Sequence, residues 1–136
     1  MIFNAGTAIY NKLIAGTVVA GSAIYADVAP QSTAYPYVVF SCSASEESHQ
    51  DAVDLRSDMW LVKVVSNNPQ TAGSVQNNIR SALNYQSLTV DANWTTLWVT
   101  AVNQFQFIEM VNNQKIYHAG GTYRVLLRGN ASHSPY

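Results

Sequence analysis

Apolar side chains recur at helical spacing at the start of the chain. Ile2, Ile9 and Leu13, with Phe3, Tyr10 and Ile14, trace one stripe and predict a helix over 2–15 that Gly16 can end. Residues 16–35 read as an irregular connection with a short extended piece around Ile24 and Tyr25, since Pro30 and Pro36 forbid a helix there. Tyr37–Ser43 is rich in β-branched and aromatic residues and predicts a strand. Residues 44–55 read as a polar, acidic connection. Ser57–Val65 is a second strand, with Trp60, Val62 and Val64 on one face and Met59, Leu61, Lys63 and Val65 on the other. Both faces are mostly apolar, which predicts a strand that is central or covered on both sides. Asn68-Pro69 then opens a helix, Asn68 as N-cap and Pro69 at its first position. Ala72, Val75, Ile79, Ala82 and Leu83 form its apolar stripe, with Gln76, Asn77 and Arg80 off it. A short strand is expected at 86–90 and a long one over Thr95–Val111, bent near Asn103. Asn112-Asn113-Gln114 makes a hairpin turn, because Asn tolerates left-handed backbone. Ile116–Leu127 returns as a strand, with Gly120-Gly121 marking a bulge or a close approach. The pattern is α+β: two helices packed on one face of a mainly antiparallel sheet with a long β-hairpin. Residues 1–128 form one domain and 129–136 a flexible tail.

A chain of 136 residues fits that single domain. Charged residues are 11% of it, against roughly 25% in soluble domains, and the formal net charge is −1. Asn, Gln, Ser and Thr number 42 against 15 charged residues, so the polar surface is mostly amide and hydroxyl. That charge argues against general phosphate-backbone binding and weakens a polybasic membrane role. Net charge near zero is poor for solubility, but a surface that ends against neighbouring subunits tolerates it. The first lean is therefore an assembly component. The run from Leu13 to Ala26 imitates a signal peptide, yet Ile2, Phe3, Ile9 and Tyr10 precede its Lys12. It is also too short and glycine-rich to span a membrane.

Candidate chemistry is sparse. Cys42 is the single cysteine and reads as a small core or sheet-face residue, with no His beside it to activate a thiolate. Glu46, Glu47, Asp51, Asp54 and Asp58 place five of the eight acids within 13 residues. Their spacing matches no calcium loop, so they read as a solvated loop or a functional acidic surface. His49, His118 and His133 are scattered and have no zinc-ligand spacing. No nucleophile elbow, phosphate loop or dinucleotide fingerprint is present. No catalytic, cofactor-binding or metal-binding residue is assigned, and the chain is not expected to be an enzyme. Trp60 and Trp98 read as core, and base stacking would need flanking cations that they lack.

The order of segments carries a resemblance. A first helix leads to Ala23-Ile24-Tyr25, Val28-Ala29-Pro30-Gln31 and Tyr35-Pro36-Tyr37-Val38-Val39-Phe40. An acidic Ser-rich stretch, a long strand, a Pro-opened helix and two long strands ending Tyr123-Arg124-Val125-Leu126-Leu127 follow. Over residues 1–128 this resembles the tail-completion, or tail-terminator, family of long-tailed bacteriophages. The resemblance implies a structural virion protein forming a six-fold homo-oligomeric ring on the head-proximal end of the tail tube. Such a ring ends tube growth and meets the head connector or stopper, and it lets DNA through its lumen without specific binding. It implies no cofactor and no membrane. On this reading the acidic residues 46–58 are a candidate interface or lumen loop, where like charge would keep DNA from sticking. The tip Asn112, Asn113, Gln114 and Lys115 is a candidate assembly hairpin. Another neck ring or a tail-tube subunit is the neighbouring alternative. A small ligand-binding domain or enzyme is the alternative of a different class, and it would need a pocket with convergent polar groups.

Overall fold

The computed structural model describes residues 2–16, 23–30, 33–50, 53–88 and 94–129. Helix α1 is Ile2–Ala15 and helix α2 is Pro69–Leu83. The strands are β1 (Ile24–Ala26), β2 (Tyr37–Gln50), β3 (Val53–Ser66), β4 (Trp94–Val111) and β5 (Gln114–Gly129). They form one sheet in the order β1-β2-β3-β5-β4, with β1 parallel to β2 and every other pair antiparallel. Both helices cover one face. There Val38, Phe40, Trp60, Val62, Val64, Tyr123 and Val125 meet Ala5, Ile9 and Leu13 of α1 and Ala72, Val75, Ile79 and Leu83 of α2.

Local chemistry accounts for the element ends. The Asn68 side chain accepts hydrogen bonds from Gln70 N (2.9 Å) and Thr71 N (3.3 Å), capping α2, and Pro69 occupies a first-turn position that needs no donor. Val111 pairs with Gln114 across a two-residue turn in which Asn112 and Asn113 have φ of 50° and 63°. Left-handed backbone at both positions matches the twist of the flanking strands. Gly120 marks a close approach rather than a bulge. A Cβ there would lie 2.5 Å from the Val62 carbonyl oxygen on β3, so the β3–β5 pairing admits no side chain.

Several expectations are corrected. Residues 44–50 and 53–55 are strand, not a connection: Glu46 pairs with Ser57, Glu47 with Arg56 and Ser48 with Leu55. The ladder continues because β5 supports β3 out to Leu55↔Arg128, and backbone pairing overrides the weak strand preference of Ser and Glu. In α1 the buried stripe is Ala5, Ala8, Ile9 and Leu13, while Ile14 is exposed. Small residues win that face because the helix lies close to the sheet, the Gly6 Cβ position being 3.1 Å from the Trp60 ring. The side chains of Ile2 and Phe3 lie outside the described residues. Gln76 is buried in the core face of α2, where its Nε2 donates to the Gly120 carbonyl at 2.8 Å. Residues 86–88 are not strand: Tyr85 turns at φ 62°, and among the described residues two backbone hydrogen bonds, Tyr85 N to Val99 O and Val99 N to Gln86 O, join this stretch to β4. Positions 89–90 and 130–136 lie outside the described residues, and Gly129 still belongs to β5. β3 is central, but helices cover it on one face alone.

Trp98 is on the open face, half-exposed, and not in the core. Extra residues at Leu97 and Val102 interrupt the β4 register, so side chains change sides twice along the strand. Trp94 and Val99 face the helices, and Trp98 is turned away. The expected bend near Asn103 is the second of these bulges.

Candidate assembly surfaces

The acidic segment divides once it is paired. Asp58 is 0% exposed and Arg56 1%, and both sit on the helix-covered face of β3. Arg56 Nη2 lies 3.1 Å from Asp58 Oδ2, its guanidinium is 4.9 Å from the centre of the Trp94 ring, and Ser45 Oγ donates to Asp58 Oδ1 at 2.6 Å. The ion pair lacks hydrogen-bond alignment, and Arg56 Nε and Nη1 find no acceptor. Asp58 therefore leaves the set of surface acids, because its charge is consumed internally. Glu46 and Glu47 are exposed on β2. Asp54 is in β3 with its side chain outside the described residues, and Asp51 lies outside them altogether. The signal for the buried pair was a single Arg inside an acidic run, two residues before Asp58.

The open face of the sheet carries mixed chemistry. Met59, Trp98 and Leu126, rimmed by Glu46, Ser57 and Arg124, line a hollow of about 370 Å³. Farther along, the Phe107 and His118 rings stack at 4.3 Å, His118 Nε2 and Glu109 Oε1 are 3.1 Å apart, and Lys63 Nζ lies 5.6 Å from the Phe107 centroid. Tyr37 stacks on Tyr35, and burial, helped by Tyr35 and Glu109, pushes its phenol up. On the helix side a groove of about 680 Å³ runs between α1 and the outer edge of β2, lined by Tyr10, Phe40, Cys42 and Trp60 among others. Burial is also the main reason the Cys42 thiol is raised, so this cysteine is no activated nucleophile. Among the described residues no group of His, Cys, Asp and Glu could hold a metal ion. No described helix is long and apolar enough to cross a membrane.

The edges matter as much as the faces. β4 is an 18-residue edge strand with neither Lys nor Pro, and its one charged residue is Glu109. Trp98, Val102, Phe107, Ile108, Met110 and Val111 are large apolar residues exposed along it. The sequence places Trp98 of this strand in the core and its hairpin tip at an assembly contact; the bulge at Leu97 that turns Trp98 outward leaves no mark in residue alternation. The tip Asn112, Asn113, Gln114 and Lys115 is exposed at its end. β2 is also open: β1 covers only Val38, Val39 and Phe40, and no described strand pairs with that side of Ser41–Gln50.

Comparison with known proteins agrees with this architecture. No curated protein sequence matches the chain. A solved structure titled "Virion of native gene transfer agent (GTA) particle" contains a chain of similar fold, with a TM-score of 0.67 at 17% identity. The alignment covers 92% of this chain and 97% of that one. The sequence model of the tail completion protein gp17 family matches residues 7–128. The chain therefore belongs to the tail completion protein gp17 family and is a structural protein of the phage tail, located in the virion.

Proposed function

We propose that this protein caps the head-proximal end of the tail tube as a closed ring of identical copies, six on the family pattern. The ring ends tube polymerisation and joins the tail to the head connector or stopper. The observation that carries this reading is β4, an 18-residue edge strand with six large apolar residues exposed along it and no guarding Lys or Pro. A subunit that works alone blunts such an edge; one that works in an assembly uses it for pairing. Edges at the two ends of the strand order differ in sequence, so they suit head-to-tail contacts, which make a ring where the rotation between copies closes. The hollows are lined mainly by apolar side chains and do not gather the convergent polar set that a ligand-binding or enzymatic reading requires.

Within the ring, Glu46, on the open face of β2, faces the DNA path and repels it, while Glu47 points to the helix side, and the 112–115 tip contacts a neighbouring protein. Glu46→Lys should slow DNA ejection from otherwise normal particles and Glu47→Lys, on the other face, should not; unchanged ejection with Glu46→Lys removes the lumen role. The ring itself is tested by light scattering and negative-stain imaging of the pure protein, alone and with tail tubes. Discrete rings and tubes that no longer extend are expected. Filaments that grow without limit would instead assign a tube subunit.

A further inference from the structure

The sheet has two unpartnered edges that complement one another. We propose that Asn103–Val111 of β4 in one copy adds as an antiparallel strand to Ser41–Gln50 of β2 in the next, seating Ile108 and Met110 in the α1–β2 groove. This rests on the ring reading and specifies the contact that closes the ring.

Strand direction comes first. β2, β3, β5 and β4 alternate in direction across the sheet. A second copy placed head to tail therefore brings its β2 antiparallel to the β4 of the first, and the alternation continues unbroken. Length agrees as well. The free part of β2 begins at Ser41, where β1 stops covering it, and β4 runs without interruption from its second bulge at Val102 to the Asn112-Asn113 turn. A pairing of roughly ten residues is about 33 Å long. With side chains on both faces it buries on the order of 1,000 Å², which is the threshold for a specific interface.

Side chains decide the register. Gln106 pairs with Ala119 and touches Gln76 of α2, so Gln106, Ile108 and Met110 lie on the helix side of β4. Ile108 is 56% exposed and Met110 61%, the most exposed apolar side chains on that strand. The groove beside β2 opens on the same side of the sheet and offers Tyr10, Phe40 and Trp60 as its apolar wall. Because Ser43 is bulged, consecutive helix-side positions on β2 are Cys42 and Ser45. Met110 falls beside Cys42, and Ile108 beside Ser45. In that register the hairpin tip ends where β1 ends, bringing exposed Lys115 to exposed Asp27 on the groove rim. An apolar knob, an apolar groove and one opposite-charge pair thus fall together on different edges of one chain.

Cys42 makes the contact measurable, since the chain has no other cysteine. Directly opposite residues of an antiparallel pair are within disulfide reach. Met110→Cys, oxidised in mildly alkaline buffer under assembling conditions, should give a ladder of covalent oligomers that Cys42→Ser abolishes. Met110 is exposed, so the substitution leaves the subunit fold intact, and Met110→Asp with Ile108→Asp should lower ring yield at least tenfold with an unchanged melting curve. Covalent dimers that survive Cys42→Ser would mean β4-to-β4 two-fold pairing and would overturn the proposal. Rings by light scattering with neither cross-links nor sensitivity to the Asp variants would overturn this contact and leave the ring reading standing. A protein that stays monomeric alone and on tail tubes would remove both.

Discussion

Removing either member of the buried Arg56–Asp58 pair should destabilise the protein severely, while replacing both should not. At 3.1 Å and an effective dielectric near 20, the charges attract by about 5 kcal/mol. Taking both from water costs several kcal/mol per ion, so the intact pair contributes close to nothing net. Asp58→Ala leaves a guanidinium at 1% exposure against the Trp94 ring without the Asp58 carboxylate, at a cost of about 3–5 kcal/mol. With a urea m-value of about 2 kcal/mol/M for a domain this size, the unfolding midpoint should fall by about 2 M. The double variant Arg56→Met, Asp58→Leu should lie within about 1 kcal/mol of the parent or exceed it. Ser45 then loses its acceptor, but its exposed hydroxyl can turn to water. Urea denaturation of the four proteins in a double-mutant cycle checks this. Single-variant losses below about 1 kcal/mol, or a double variant as unstable as the two losses added, would refute the reasoning. One practical consequence concerns DNA passage: reversing the charge of Asp58 reports on folding, whereas Glu46 can report on the lumen.

Other outcomes follow from single contacts. Gly120→Ala pushes a methyl into the Val62 carbonyl and should cost about 3 kcal/mol in urea denaturation; a loss below 1 kcal/mol would mean that β3 and β5 separate easily there. Gln76→Leu leaves the Gly120 carbonyl without its side-chain donor and should cost about 1–3 kcal/mol, visible as faster amide exchange at the adjoining β3–β5 rows. Asn113→Ala should destabilise by about 1–2 kcal/mol and Asn113→Gly should not, because only the first strains a residue at φ 63°; equal melting temperatures would argue against the turn geometry. Burial is the main cause that raises the Tyr37 and Tyr123 phenols. The folded state therefore keeps protons that the unfolded chain releases near pH 10. This stabilisation is complete below about pH 10 and is lost as pH rises through the folded values, so a urea midpoint that climbs between pH 10 and 11 would contradict it.

What the sequence made legible was what a few neighbouring residues decide. Asn68-Pro69 announced α2 because cap and first turn are local chemistry, and Asn112-Asn113 announced a hairpin because both must be left-handed. Helix periodicity placed Val75, Ile79 and Leu83 correctly. Features set by distant partners stayed hidden. Gln76 looked like a solvent residue because its acceptor, Gly120, is 44 positions away. Glu46, Glu47 and Asp58 looked like one acidic loop because nothing local says that Arg56 opposes Glu47 across a strand pair and faces inward. Trp98 looked like core because alternation was counted through an unmarked bulge. The order of segments along the chain still pointed to the family, since order survives errors in the elements it connects.

Low charge and a bulged edge are two parts of one physical solution. A subunit that must offer an edge to a neighbour cannot guard it with Lys, because each ammonium would have to be desolvated on assembly at a cost of several kcal/mol. Neutral amides carry less risk. Gln104 and Gln106 are exposed on β4, and an amide has both donors and acceptors to offer a neighbouring copy. The single charge on β4, Glu109, is already held by His118 across the hairpin. That leaves the danger of indiscriminate pairing, which the bulges at Leu97 and Val102 limit. They break an 18-residue ladder into shorter runs and change which side chains face the helices, so a partner must match both length and face. Straightening β4 by deleting Val102 would put Ala101 directly beside Asn103 and leave Ile108 and Met110 on the helix side, because their partners on β5 do not change. The edge would keep its fit to the groove beside β2 but present one unbroken run from Trp98 to Val111 to any partner strand, and the expected product is disordered aggregate alongside discrete rings, distinguishable by negative-stain imaging.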